Sequence, residues 1–145
     1  MIHIRPALLD DLQLISSLLP DARSRDLQAL IVPRHGATLL AHAGDQPAAI
    51  GRALRWKLGA EICDLAVLPA YRRRGIASAL IRALLGWCAD QNAAYVELTC
   101  TLDNAAALGL YQRFQFVPVR TLHIDSQPHM LLRLESLVLQ DFRRD

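Results

Sequence analysis

An arginine run that meets a glycine at a helix start can hold an anion, and Arg72, Arg73, Arg74, Gly75, Ile76, Ala77 and Ser78 make such a run. The first turn of a helix carries backbone N–H groups with no acceptor inside the helix. Small residues leave those groups uncovered, and flanking guanidiniums add charge-assisted hydrogen bonds. The run lacks the Gly-rich Lys-Ser/Thr form of a triphosphate loop, so it fits a diphosphate with no essential magnesium. His3, His35, His42, His123 and His129 are scattered, and Cys63, Cys88 and Cys100 show no Cys-X-X-Cys spacing, so no metal is expected.

The chain of 145 residues is the length of one ordinary domain, and with 52% apolar residues it can bury a core without staples, so 1–145 reads as a single domain. Sixteen Lys and Arg against fourteen Asp and Glu give a net charge of +2, too small to imply a nucleic-acid partner. Lys57 is the only lysine, so the cationic character is guanidinium, suited to planar contact with phosphate or carboxylate. Three cysteines cannot all pair within one chain, and reduced thiols in a cytosolic protein are the simpler expectation. The opening MIHIRPALLDD turns acidic within a few residues and has no apolar run of signal or spanning length. A cytoplasmic protein with no membrane partner is expected.

These residues need a scaffold. Ile2 and Ile4 alternate with His3 and Arg5 as a first strand, and Leu8, Leu12, Ile15, Leu18 and Leu19 recur at helical spacing up to Pro20. Residues 21–31 suggest a second helix. Thr38 to His42 and Ala48 to Leu58 read as a hairpin turned at Gly44–Pro47. Gly59 permits another turn, and Glu61 to Val67 is a further strand closed by Pro69. Strict alternation places Glu61, Cys63 and Leu65 on one face of that strand. Ile76, Leu80, Leu84, Trp87 and Cys88 line a long helix, and Val96, Leu98 and Cys100 mark the next strand. Asn104 can cap a short helix carrying Leu110 and Tyr111. Phe116 to Ile124 and His129 to Leu137 form a last hairpin turned at Asp125–Pro128. The order predicts a mixed α/β sheet with a strand-to-helix crossover near its centre.

Arg72, Gly75 and Ala77 match Gln/Arg-X-X-Gly-X-Gly/Ala, the coenzyme signature of the GCN5-related N-acetyltransferase family, which the chain resembles. The preceding strand Leu65 to Val67 with Pro69 stands where that family has it. Asn104, Ala107, Leu110, Tyr111 and Phe116 resemble a second family segment, and Gly51 matches a glycine of its third strand. From Ile2 to about Leu137 the chain can be laid on the family's fold, a mostly antiparallel central sheet flanked by helices, with a splayed strand pair for coenzyme A.

The resemblance implies acetyl-CoA as cosubstrate. Backbone groups of Leu65, Ala66 and Val67 would pair with the pantetheine arm, Arg72 to Ser78 would wrap the pyrophosphate, and Asn104 would hold the arm from the other side. It places Tyr111 as general acid for the leaving thiolate. Glu61 falls where histone-type members carry their catalytic glutamate, with Asp64, Glu97 or a relayed water as alternatives. Gln115 stands where the family usually has glycine, which puts the turn after the Tyr111 helix in question. Thr99 replaces a glutamate kept by ribosomal-protein N-terminal acetylating members. The expected reaction is acetyl transfer to a primary amine of a small molecule or peptide; a non-catalytic coenzyme-A-binding regulatory module is the alternative. A groove framed by Pro20–Thr38 and Ile124–Met130, with Trp56, would take the amine. The last hairpin and the tail with Leu137, Val138, Leu139 and Phe142 would form a homodimer face or close the core.

Overall fold

The computed structural model describes residues 1–20 and 35–143, so the helix expected over 21–31 lies outside the described residues. Alternating apolar residues form β1 (Ile2–Pro6), and a 3-10 turn at Leu9–Asp11 leads into α1 (Leu12–Leu18). Asp11 fixes that entry: it accepts from the Leu8 N–H at 2.7 Å and from both Arg5 terminal nitrogens at 2.8 Å, tying strand to helix. The chain continues through β2 (Gly36–Ala43), β3 (Gln46–Trp56), β4 (Gly59–Val67), α2 (Ile76–Asp90), β5 (Tyr95–Thr101), α3 (Ala105–Arg113), β6 (Val117–Ile124), β7 (Gln127–Glu135) and α4 (Ser136–Leu139). The strands make one seven-stranded sheet in the order β1-β2-β3-β4-β5-β7-β6. Every neighbouring pair is antiparallel except β4 and β5, which α2 joins as a parallel pair. This is the mixed α/β, mostly antiparallel architecture that the sequence led us to expect.

Two apolar layers cover the sheet. On one face Ile76, Leu80, Ile81, Leu84 and Leu85 of α2 pack with Ala53, Ile62, Val96, Leu98, Leu132 and Leu134 from the strands. On the other, Ile15 and Leu18 of α1 meet Leu40 and Ile50. Gly51 lets α2 lie close on β3, since a β-carbon there would stand 2.9 Å from Leu84 Cδ1 and 3.1 Å from Leu65 Cδ1. Truncating a fully buried leucine such as Leu84 to alanine is expected to cost about 2–5 kcal/mol.

One irregularity shapes the site. Ile50 pairs with Ala66 and Arg52 with Cys63, so Asp64 and Leu65 together oppose Gly51: a β-bulge, with Asp64 at a left-handed φ of 56°. One extra residue turns every later side chain to the opposite face. Leu65 and Val67 therefore pack on the α2 side with Ala60 and Ile62, while Ala66 and Leu68 pack on the α1 side. The expectation that Glu61, Cys63 and Leu65 share a face is corrected, because the bulge lies between Cys63 and Ala66.

Several boundaries also differ. Gly59 makes no turn; it opens β4, and the turn is Lys57–Leu58, with Lys57 at φ 50°. Glycine is needed at 59 for a packing reason, since a β-carbon would lie 2.3 Å from the Tyr95 ring. The last hairpin turns tightly at Asp125–Ser126, both at positive φ, so β7 begins at Gln127. It ends at Glu135, and Leu137, expected in the strand, sits in α4 and is exposed. Val138, Leu139 and Phe142 pack into the core.

Candidate active site

The parallel pairing of β4 and β5 is short: Ala60 opposes Val96, Glu61 opposes Glu97, and no further rung joins them. The rest of β4 up to Val67 diverges from β5, leaving a V-shaped cleft. A peptide-like ligand can satisfy the backbone groups that such a splay leaves without a strand partner.

At the open end of β4 the chain forms an anion cradle. A 3-10 turn at Pro69–Tyr71 leads to Arg72, whose Nε donates to the Val67 carbonyl at 3.2 Å and so pins the loop to the strand end. Arg73 and Gly75 adopt left-handed conformations at φ 64° and 77°, the kind of backbone that can gather successive N–H groups around an anion. The α2 ladder begins where the Ala79 N–H reaches the Gly75 carbonyl at 3.1 Å. The N–H groups of Ile76, Ala77 and Ser78 precede it and have no acceptor within the helix, which leaves them able to hold an anion.

Two adjoining cavities follow this path. One, of about 320 Å³, is lined by Tyr71, Arg72, Arg73, Gly75, Ile76, Ala77, Ser78 and, across from them, Leu110 and Arg113 of α3. The second, of about 660 Å³, runs along Leu65, Ala66 and Val67 with Asn104, Ala107 and Tyr111 on its far wall. Val67, Arg72, Arg73 and Ala77 line both. Arg74 lines neither; its guanidinium lies over the Tyr71 ring at 5.3 Å. Sequence reading missed Arg113, yet Ala106, Leu110 and Arg113 stand at helical spacing on one side of α3, and that spacing was the available signal.

Two features hold the far wall in place. Asn104 caps α3, its Oδ1 accepting from the Ala107 N–H at 3.1 Å, which leaves its amide N–H groups as donors. The Tyr111 carbonyl accepts from the Phe114 N–H at 3.0 Å and the Phe116 N–H at 3.1 Å, and its ring meets the Phe116 ring edge-on at 6.0 Å. This is a Schellman ending whose left-handed residue is Gln115, at φ 74°. The turn thus forms without the glycine. Burial pushes the Tyr111 phenol up to about 12, with a smaller push from Cys100, so it stays protonated near neutral pH and able to donate.

Glu61 sits where the strands part, and lines neither cavity. Glu61 is exposed at the surface, yet partial desolvation, with the neighbouring Asp64 and Glu97 carboxylates, raises its pKa from the ordinary carboxylate value despite the opposing pull of Arg52. The other base candidates are committed: Asp64 pairs with Arg52 at 3.2 Å and Glu97 with Arg133 at 2.9 Å. Among the described residues Glu61 makes no ion pair. Cys63, half-buried, accepts from the Arg52 Nε at 3.3 Å, and burial pushes its thiol up to about 11; all three cysteines are unbridged. Trp56 is exposed at the far end of β3, under Lys57, and lines neither cavity. The groove wall expected over 21–34 lies outside the described residues.

The model of the acetyltransferase (GNAT) family matches residues 6–116. The chain belongs to the GNAT family. Solved GNAT-like folds agree across almost the whole chain. The ribosomal-protein-S18-alanine N-acetyltransferase of Escherichia coli superposes with a TM-score of 0.82 at 18% identity, covering 93% of this chain and 94% of that one. NAA60 of Arabidopsis thaliana in complex with acetyl-CoA superposes with a TM-score of 0.81 at 22% identity, covering 93% and 98%. At such identities the likeness is one of fold. A curated relative, acetyl transferase GW6a of rice (Oryza sativa subsp. japonica), is 39% identical over 62 residues, which is 42% of this chain and 15% of that protein. The GNAT signature residues Arg72, Gly75 and Ala77 all fall within the anion cradle described above.

Proposed function

We propose that this GNAT domain transfers acetyl from acetyl-CoA to a primary amine of a small molecule or peptide, by direct attack while both are bound. The observation that carries this reading is the continuity of the cleft: the anion cradle, the open edge of β4 and the Tyr111 phenol line one path. The pyrophosphate fits the N–H groups of Ile76, Ala77 and Ser78 beside Arg72, Arg73 and Arg113. The pantetheine amides fit the free edge at Leu65, Ala66 and Val67, with Asn104 donating from the α3 side.

The bonds follow from these positions. Glu61, directly or through a water, accepts a proton from the acceptor ammonium, and the freed nitrogen attacks the thioester carbonyl carbon. A β4 N–H steadies the oxyanion as the C–N bond forms. The C–S bond then breaks as Tyr111 gives its phenolic proton to the departing thiolate, and the second proton of the attacking nitrogen, passed through water, restores the phenol and leaves the neutral amide. Positioning both reactants in one cleft supplies much of the rate. Thr99 in place of the glutamate of ribosomal-protein acetylating members weighs against transferring their mechanism unchanged.

Mass-resolved product formation from acetyl-CoA and a panel of small amines and short peptides tests the reading. Acetylated product is expected from the wild type, and Tyr111→Phe is expected to lower kcat by about 100-fold with acetyl-CoA binding retained. Tight acetyl-CoA binding with no product across the panel would favour the regulatory module instead.

A further inference from the structure

Charged side chains from four strands crowd the point where β4 and β5 part. Arg52 comes from β3, Glu61 and Asp64 from β4, Glu97 from β5 and Arg133 from β7. The register sets Glu61 opposite Glu97, and Glu97 opposite Arg133. Like charges directly opposite each other on neighbouring strands are unfavourable. Here the conflict is relieved on one side only: Arg133 donates to Glu97 Oε2 from Nη2 at 2.9 Å and Nε at 3.1 Å, and its guanidinium rests on the Tyr95 ring at 4.4 Å. Arg52 holds Asp64 at 3.2 Å. Among the described residues three carboxylates thus face two guanidiniums, and Glu61 is the one of the three with no ion pair.

We propose that the acceptor is a primary amine bearing a single positive charge, and that Arg133 and Arg52 set that number by occupying the other carboxylates. The inference rests on the acetyl-transfer reading above. Among the described residues an approaching ammonium finds Glu61 without an ion-pair partner. A second ammonium on the same molecule reaches Glu97 or Asp64 only by displacing a guanidinium, and otherwise lies beside Arg133 or Arg52 as a like charge. The raised pKa of Glu61, in which partial desolvation and the Asp64 and Glu97 carboxylates outweigh the pull of Arg52, agrees with a carboxylate that has no ion pair among the described residues. Polyamines and other closely spaced dications are therefore disfavoured.

The test compares butylamine with 1,4-diaminobutane, equal in carbon chain length and different in charge, as kcat/KM at neutral pH with acetyl-CoA. The wild type is expected to favour the monoamine by about tenfold. Arg133→Met keeps an apolar stem against Tyr95 and frees Glu97, so the ratio should move about tenfold toward the diamine. Adding Glu97→Gln to that variant should restore the monoamine preference, a rescue that mere loosening of β7 would not give. Arg120→Met on β6 should leave the ratio unchanged. A wild type that prefers the diamine, or a ratio that Arg133→Met does not move, overturns the inference. If protein that binds acetyl-CoA acetylates neither amine, the small-amine reading of the function falls, and the inference falls with it.

Discussion

The cleft has two halves built by different means. The donor half, from Leu65 to Ser78 with α3 opposite, is made largely of backbone: a bulge, two left-handed residues, the N–H groups at the start of α2 and a capped helix. The acceptor half, around Glu61, is made of side-chain charges brought together by strand register. On the proposed reading, the backbone devices are the part that would bind the cofactor. Charges in register are easily exchanged by substitution, which would suit the half proposed to choose the amine. The two halves should therefore fail separately when mutated.

The sharpest separation is expected at Glu61. Its carboxyl titrates above the usual range, so kcat should fall as pH drops through that raised value and the base becomes protonated. Glu61→Gln should lower kcat by about 100-fold and flatten that acid limb, with acetyl-CoA binding unchanged. A variant that keeps the limb would assign it to another group.

The converse variant is Gly75→Val. Gly75 sits at φ 77° with nothing within 4 Å of a β-carbon, so the penalty is one of conformation and not of clash. Left-handed backbone costs an ordinary residue about 1–2 kcal/mol, more when β-branched, so acetyl-CoA affinity should drop by about tenfold while the preference among amines stays put. Titration calorimetry checks the first and competition between amines the second. A change in amine preference would mean the halves are coupled.

Arg113→Ala removes the cation that faces the cradle from α3. It lies on an exposed side chain, so a loss of about fivefold in acetyl-CoA affinity is expected, diminishing as salt is raised. Gln115→Gly should have the smallest effect and the opposite sign. Releasing the left-handed strain at φ 74° should stabilise the fold by about 1 kcal/mol in thermal unfolding, with kcat unaltered because the Schellman bonds to Tyr111 are already made. A gain in kcat would mean that Gln115 holds Tyr111 imperfectly.

The same division decides how much could be read from sequence. The cradle was legible because its ingredients, arginines, glycine and alanine at a strand-to-helix junction, are consecutive. The Asn104 cap and the apolar face of α2 were legible by spacing. The bulge was not, since Asp64 takes a left-handed φ with no glycine to announce it, and the error put Leu65 on the wrong face. Gly59 misled for a related reason: its need is contact with Tyr95, distant in the chain. The Glu61–Glu97–Arg133 row depends on how β4, β5 and β7 align, which no local pattern specifies. Arg113 lay within reach of a helical-spacing argument.

The central claim is that the V between β4 and β5 holds acetyl-CoA, and amide hydrogen exchange with and without that ligand tests it most directly. Slowed exchange is predicted at Leu65, Ala66, Val67, Ile76, Ala77 and Ser78, with little change around the separate cavity beside Ile4, Ala37 and Trp87. Protection centred on that second cavity, or none along β4 and the α2 start at saturating ligand, would contradict the account.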